Sequence, residues 1–206
     1  MSYLPSKLIS EDAADITIKE YLCLQKGWKT AFYSSPCGSW STIRFEINGF
    51  TYETFSPRDI SRPDMVLYKV SGNKLQLLII ESKDDVNKFT KDSIKKYINS
   101  MSKFKDRLLK EKYRLVKNNT TGQFMENKML PREYIENCET NIILLACSSN
   151  LASDLLSLKP LLPSVSNVFG LLVEVNWKNL TCRIQSVNDS SGEFNDVQSI
   201  EYSYNS

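Results

Sequence analysis

The chain has 206 residues, of which 41% are apolar and 24% are charged, a balance that is ordinary for a soluble globular protein. It contains no histidine, which excludes hydrolases that depend on a Ser-His-Asp triad or a Cys-His pair. No apolar run approaches the roughly 20 residues that a membrane-spanning helix needs, and residues 1–12 do not resemble a secretory signal. We therefore expect a cytoplasmic protein whose chemistry uses carboxylates, lysine, tyrosine, cysteine or a metal held by oxygen ligands.

In the first half of the chain, a helix is followed by strands and by a longer helix. Ser10, with two acidic residues after it, is typical of a helix N-cap, and Gly27 is typical of a helix end. Asn48-Gly49 between alternating β-forming residues is a strong signal for a hairpin. The predicted elements are a helix at 10–25, strands at 29–35, 42–47, 50–55, 64–70 and 74–82, and an amphipathic helix from about 87 to 113.

The second half begins with a polar insertion over 117–140, which we expect to be a loop with some helix around 132–137. The elements predicted after it are a strand at 141–147, a helix at 150–158 and a hairpin of strands at 169–176 and 180–187. The segment 188–206 is acidic and rich in Ser and Asn, a composition that is typical of disordered tails. Strands framed by helices predict an α/β fold with a mixed sheet, in a single domain whose core spans about 10–176.

Two short motifs carry the candidate chemistry. Pro63-Asp64 opens one predicted strand, and Glu81-Ser82-Lys83 ends the next. A tight turn joins these strands, so a hairpin would bring Asp64 beside Glu81. Because side chains alternate along a strand, Glu81 and Lys83 share one face.

Two carboxylates in close proximity repel each other unless a cation lies between them. Mg²⁺ binds carboxylate and carbonyl oxygens, so the expected metal ligands are Asp64, Glu81 and the backbone carbonyl of Ser82, with Mn²⁺ as a substitute. The metal would acidify a water molecule directed at a phosphate, and Lys83 would offset the negative charge of the transition state. This chemistry needs no histidine.

These residues resemble the motif of the PD-(D/E)xK nuclease superfamily, to which many type II restriction endonucleases belong. The match lies in Pro63-Asp64 and Glu81-Ser82-Lys83, in the apolar strand that the second motif ends and in the long helix after it. The resemblance implies a restriction-endonuclease-like αβββαβ core, in which a mixed central sheet is flanked by helices. It also implies that Asp64 and Glu81 bind the metal and that Lys83 is the catalytic lysine.

Many members of this superfamily also have an acidic residue on the first helix. The candidates here are Glu11, Asp12, Asp15 and Glu20. Glu20 flanks the apolar side of the helical wheel better than Asp15 does, so Glu20 is the expected additional catalytic residue.

Basic residues are concentrated in one part of the chain. Residues 88–117 contain eleven basic and three acidic side chains, a net charge of +8 that favours a polyanionic partner. Phosphate contacts are expected from the lysines that follow the second motif, and base contacts from the polar loops. The predicted DNA-binding residues are Arg44, Arg58, Arg62, Lys88, Lys91, Lys95, Asn119 and Arg132.

The sequence thus predicts a Mg²⁺-dependent endonuclease that cleaves double-stranded DNA at specific sites, like a type II restriction enzyme of prokaryotic origin. Because one site cuts one strand, a homodimer with a palindromic target is expected. One alternative is a structure-specific nuclease that acts on junctions or damaged DNA. Another is a non-catalytic nucleic-acid- or protein-binding α/β domain, since an Asp after Pro also suits a turn and Glu-x-Lys an ordinary ion pair.

Overall fold

The computed structural model describes residues 6–34, 42–55, 60–117, 124–176, 181–188, 194 and 198–201. The α-helices in these ranges are α1 (Ser6–Glu20), α2 (Lys91–Lys110), α3 (Arg132–Glu136) and α4 (Leu151–Leu158), and a π-helical segment (Tyr21–Gln25) continues α1. The strands are β1 (Lys29–Tyr33), β2 (Thr42–Ile47), β3 (Phe50–Phe55), β4 (Met65–Ser71), β5 (Lys74–Lys83), β6 (Tyr113–Lys117), β7 (Phe124–Lys128), β8 (Cys138–Cys147), β9 (Val168–Asn176), β10 (Thr181–Val187) and β11 (Gln198–Glu201).

The strands form two sheets. The larger has the order β1-β4-β5-β8-β9-β10-β11, and the smaller is an antiparallel sheet with the order β2-β3-β6-β7. In the larger sheet β8 pairs with β9 in parallel, whereas β1 with β4, β9 with β10 and β10 with β11 pair antiparallel. The prediction of an α/β fold with a mixed sheet is therefore confirmed.

The chain forms two compact units, each assembled from separate stretches of sequence. Unit 1 comprises Met1–Lys26, Ile80–Tyr97 and Asn141–Ser206. Unit 2 comprises Gly27–Ile79 and Ile98–Thr140. Strands β5 and β8 and helix α2 consequently contribute residues to both units.

In unit 1, helix α4 connects the parallel strands β8 and β9 and packs closely on β9. Asn150 caps α4, because its side chain accepts a hydrogen bond of 3.3 Å from the amide of Ser153. A Cβ atom at Gly170 of β9 would lie 2.7 Å from the buried Leu158 Cδ2, so only glycine lets α4 approach this closely.

Unit 2 contains a cluster of buried aromatic side chains. The ring of Phe45 lies 5.0 Å from that of Tyr68 and 5.8 Å from that of Tyr113, and Tyr52 lies 6.4 Å from Tyr113. Two of the three phenol groups form hydrogen bonds of ordinary length: Tyr68 accepts from the amide of Glu46 at 2.8 Å, and Tyr113 donates to the carbonyl of Leu108 at 2.7 Å. The buried rings therefore add apolar contact area to the core of unit 2, and these two hydroxyls still have hydrogen-bond partners.

The hairpin of β2 and β3 agrees with its prediction. Asn48 and Gly49 have φ values of 51° and 76°, as a type I′ turn requires at both central positions. This turn sets the register that pairs Ile47 with Phe50. Gly27, predicted to end the first helix, also has a positive φ of 72°.

The helix boundaries differ from those predicted. Helix α1 begins before Ser10, which therefore lies inside the helix and is not its N-cap. Helix α2 begins after a separate 3-10 turn (Val86–Lys88), which Asp85 caps by accepting a hydrogen bond of 2.8 Å from the amide of Asn87. It ends before Tyr113, which belongs to β6. None of the helices in the described ranges is long and apolar enough to cross a membrane.

The polar segment 117–140 is not simply a loop with some helix, because β7 lies within it and β6 leads into it. Tyr113 and Leu115 are buried while Arg114 between them is exposed, which is the period of a strand that pairs with β3. The acidic segment 188–206 contains β11, which pairs with β10. Strands β7 and β11 each pair with the strand that precedes them in the chain, and their own composition is mostly polar.

We expect Tyr113 to make stability sensitive to alkaline pH. Burial raises the pKa of its hydroxyl well above the ordinary value of 10. The unfolded chain therefore releases this proton at lower pH than the folded protein, so stability is retained below pH 10 and falls above it, by about 1.4 kcal/mol per pH unit for one group. Urea unfolding at pH 8 to 11 should show a shallower fall for Tyr113→Phe than for the wild type, and parallel curves would contradict the expectation.

Candidate functional site

The end of β5 carries a largely buried ion pair between Glu81 and Lys83. Lys83 Nζ lies 2.8 Å from Glu81 Oε1, and the two side chains are 18% (Lys83) and 14% (Glu81) exposed. The same Nζ donates a hydrogen bond of 2.5 Å to the backbone carbonyl of Ser82. Because both charges are mostly removed from water, loss of one partner would leave the other poorly solvated. The structure thus brings Glu81, Lys83 and the Ser82 carbonyl together.

Two oxygen atoms converge on one cation at this strand end. Glu81 Oε1 and the Ser82 carbonyl oxygen both contact Lys83 Nζ. A carboxylate and a carbonyl are ligands that Mg²⁺ and Mn²⁺ accept, so the donor chemistry of this pair fits a hard divalent cation. Over the part of the chain that the structure describes, no group of three or more Asp, Glu or Cys side chains is arranged to hold a metal ion.

Tyr97 of α2 contacts the same lysine. Lys83 Nζ lies 5.0 Å from the centroid of the Tyr97 ring, within the range of a cation–π interaction. Phe89 meets the Tyr97 ring edge to face at 6.2 Å and so restricts its orientation. In the sequence, Tyr97 belongs to the apolar stripe of the amphipathic helix, and nothing in the spacing separates it from ordinary core residues.

Asp15 is the carboxylate of α1 that contacts the end of β5. Its Oδ1 atom accepts a hydrogen bond from the hydroxyl of Ser82, and the two residues are 6% and 0% exposed respectively. Glu20, the acidic residue chosen from the helical wheel, is exposed. Asp15 is thus buried and Glu20 exposed, the reverse of what the helical wheel predicts. Helix α1 has little amphipathic pattern, and the contact with Ser82 on β5 determines that Asp15 is the covered acid.

Asp64 directly precedes β4. Its backbone carbonyl accepts a hydrogen bond of 2.7 Å from the amide of Ser34, which follows β1. The preceding Pro63 is buried and Asp64 is partly exposed. The backbone of Asp64 therefore continues the antiparallel pairing of β1 and β4, while its role as a metal ligand stays a prediction.

A second ion pair follows the strand end. Asp84 Oδ1 lies 2.5 Å from Lys88 Nζ, and the Asp84 side chain is only 10% exposed whereas that of Lys88 reaches into solvent. The hydrogen bond to Asp84 raises the pKa of Lys88, and the charge of Glu11 acts in the same direction. Lys88 therefore keeps its positive charge close to the end of β5.

The other predicted DNA-binding residues are distributed over the surface. Those within the described ranges are all exposed: Arg44, Arg62, Lys88, Lys91, Lys95 and Arg132. Arg44 and Arg132 each form an ion pair with a nearby glutamate, at 3.2 Å and 2.6 Å. Arg58 and Asn119 lie outside the described residues.

Comparison with known proteins does not assign the chain to a family. No protein-family model, no curated protein and no solved structure matches it.

We expect the contact between Tyr97 and Lys83 to be energetically coupled. A double-mutant cycle of Tyr97→Leu and Lys83→Met, measured by urea unfolding, should give a coupling free energy of about 1 kcal/mol. Tyr97→Phe is the matched control, because it keeps the ring over the ammonium group and the contact with Phe89. Strictly additive single variants would show that the ring does not hold the lysine.

Proposed function

We propose that this protein is a Mg²⁺-dependent endonuclease that hydrolyses phosphodiester bonds of double-stranded DNA, as type II restriction enzymes do. The observation that carries the proposal is the contact of Lys83 with both the Glu81 carboxylate and the Ser82 carbonyl. One small volume at a strand end thereby contains two oxygen ligands for a hard cation and an ammonium group for phosphate oxygens.

Each group has a distinct role in the proposal. Glu81 and the Ser82 carbonyl hold the cation, and Asp64 is a further ligand. When bound, Mg²⁺ would polarise the phosphate and make a water molecule a better nucleophile at neutral pH. Lys83 would exchange its contact with the Ser82 carbonyl for a non-bridging phosphate oxygen, where it offsets the negative charge that develops in the transition state.

The hairpin that joins β4 and β5 supports the inclusion of Asp64. Its loop has two residues, and Gly72 in this loop has a φ of 58°. A two-residue loop pairs the residues that flank it, which are Ser71 and Lys74. This loop length agrees with the tight turn on which the predicted role of Asp64 as a further ligand depends.

The order of elements is compatible with the proposed αβββαβ core. Helix α1, strands β1, β4 and β5, helix α2 and strand β8 follow one another in the chain when the hairpin of β2 and β3 and the β6–β7 segment with α3 are set aside. In the larger sheet, β1, β4, β5 and β8 are consecutive neighbours. This order supports the proposed family without identifying it.

The exposed lysines that follow the site support a nucleic acid as the substrate. Lys91 and Lys95 lie on α2 close in sequence to Lys83, and neither has an ion-pair partner among the described residues. Such side chains can bind phosphates without reading sequence. Because cleavage of both strands needs two sites, we propose that the active form is a homodimer on duplex DNA.

Cleavage of long duplex DNA in Mg²⁺ tests the proposed function. We expect Glu81→Gln and Lys83→Met each to lower the cleavage rate at least about a hundredfold, because each removes a group that stabilises the transition state. Asp64→Asn should have a similar effect. The readout is the rate at which supercoiled DNA is converted to linear fragments on a gel.

Glu139→Gln is the matched control for these variants. Glu139 lies on β8 and forms an ion pair of 2.5 Å with Lys74, which is at the other end of β5 from the site, so this variant removes an ion-paired carboxylate without touching the site. Its cleavage rate should equal that of the wild type. Equal loss in Glu139→Gln and Glu81→Gln would show that the site variants act only through folding.

The cleavage products separate the proposal from its alternatives. Discrete fragments indicate sequence-specific cleavage, whereas a continuous smear indicates a nuclease without sequence specificity. Cleavage of branched DNA alone indicates a structure-specific nuclease. Salt-sensitive binding without cleavage in Mg²⁺ or Mn²⁺ would contradict the enzyme and favour a binding domain.

The lysines of α2 should contribute to affinity through phosphate contacts. Lys91→Gln and Lys95→Gln should each reduce the slope of log affinity against log salt concentration by about 0.9 on duplex DNA. Lys159→Gln, which changes an exposed lysine beyond α4, is the control and should leave the slope unchanged. Unchanged slopes in all three variants would show that DNA does not contact the lysines of α2.

A further inference from the structure

Asp15 is the only carboxylate that is buried among the described residues. It lies on α1, and its Oδ1 atom accepts a hydrogen bond from the hydroxyl of Ser82 on β5, which is itself fully buried. A carboxylate loses its hydration on burial, and this loss is unfavourable unless hydrogen bonds to the charged group offset it. An apolar pair at this strand end would lose less free energy on desolvation, yet the fold keeps a polar contact there.

Asp15 approaches the strand end from the face opposite to Glu81 and Lys83. Because side chains alternate along β5, the Ser82 side chain projects to one face and its two neighbours to the other. On the latter face Lys83 Nζ lies 5.0 Å from the ring of Tyr97. The peptide of Ser82 connects the faces, since its hydroxyl binds Asp15 and its carbonyl contacts Lys83 Nζ at 2.5 Å.

We infer that Asp15 is a positioning residue for the cation site, which it influences through Ser82. By holding the Ser82 side chain, Asp15 fixes the Ser82 carbonyl and the adjacent Glu81 carboxylate in the arrangement in which they bind a divalent cation together. This inference rests on the proposed function and gives the acidic residue of the first helix a different role from that of a direct ligand. Groups that orient metal ligands typically change metal affinity about 10- to 100-fold.

Ser82→Ala tests the inference, because it changes no charge and keeps the carbonyl. Titration calorimetry of the full chain with Mn²⁺ should show a dissociation constant raised about tenfold or more. The matched control is Thr17→Val, which removes another buried hydroxyl of unit 1. Thr17 lies on α1 and donates a hydrogen bond of 2.6 Å to the carbonyl of Ala13, with a contact of 3.5 Å to Cys182 Sγ. This variant should leave Mn²⁺ affinity unchanged.

Two variants of Asp15 test whether it acts through Ser82. Asp15→Asn and Asp15→Ala both remove the charge, but only the first keeps an oxygen that can accept the Ser82 hydrogen bond. We expect Mn²⁺ to bind more tightly to Asp15→Asn than to Asp15→Ala. This difference should disappear when each is combined with Ser82→Ala, because the hydroxyl that distinguishes them is gone.

The outcomes separate failure of the inference from failure of the proposed function. If Ser82→Ala lowers the urea midpoint as Thr17→Val does and leaves Mn²⁺ affinity unchanged, the contact only stabilises the fold and the inference is overturned. A difference between the Asp15 variants that persists with Ser82→Ala would also overturn it, since Asp15 would then act directly. The proposed function and the inference would both be overturned if the wild-type protein bound no Mn²⁺, or bound it no more tightly than the Glu81→Gln variant does. Should Asp15→Ala not fold, the Ser82→Ala titration decides alone.

Discussion

A lysine and a glutamate that are mostly withdrawn from water constrain the end of β5. The pair is stable only while its partners surround it, so the strand end requires the carbonyl of Ser82 and the ring of Tyr97 on one face. On the other face the carboxylate of Asp15 needs the Ser82 hydroxyl for the same reason. Helices α1 and α2 therefore meet β5 here through polar contacts, and these contacts define the geometry on which any chemistry at this place depends.

Local patterns were sufficient to predict much of the fold. The turn at Asn48-Gly49 and the helix end at Gly27 depend on backbone conformations that few residues adopt, and both agree with the structure. The apolar strands were also recognised, because they are buried over most of their length. Strands β6 and β7 were missed, since β6 forms by pairing with β3, whose residues are distant in the chain, and β7 forms by pairing with β6.

The candidate site was predictable only in part. Strand alternation placed Glu81 and Lys83 on one face, and the structure brings their side chains into contact. The burial of Asp15 could not be read from α1, because Ile16 beside it is exposed and the helix lacks a clear apolar face. Tyr97 follows the helical apolar spacing like its core neighbours, so its contact with Lys83 depends on where α2 lies in unit 1. Asp15 and Tyr97 join the site only through tertiary contacts, and no local sequence pattern encodes such contacts.

The interleaved course of the chain imposes an order on folding during synthesis. Unit 2 is complete once residue 140 has left the ribosome, because β3 pairs with β6 and β6 with β7. Unit 1 is different, since Thr17 of α1 contacts Cys182 of β10, a strand that follows the whole of unit 2 in the chain. Helix α1 also packs against β9, which likewise follows unit 2 in the chain. The first helix therefore lacks its contact with Cys182 until 165 further residues have been synthesised.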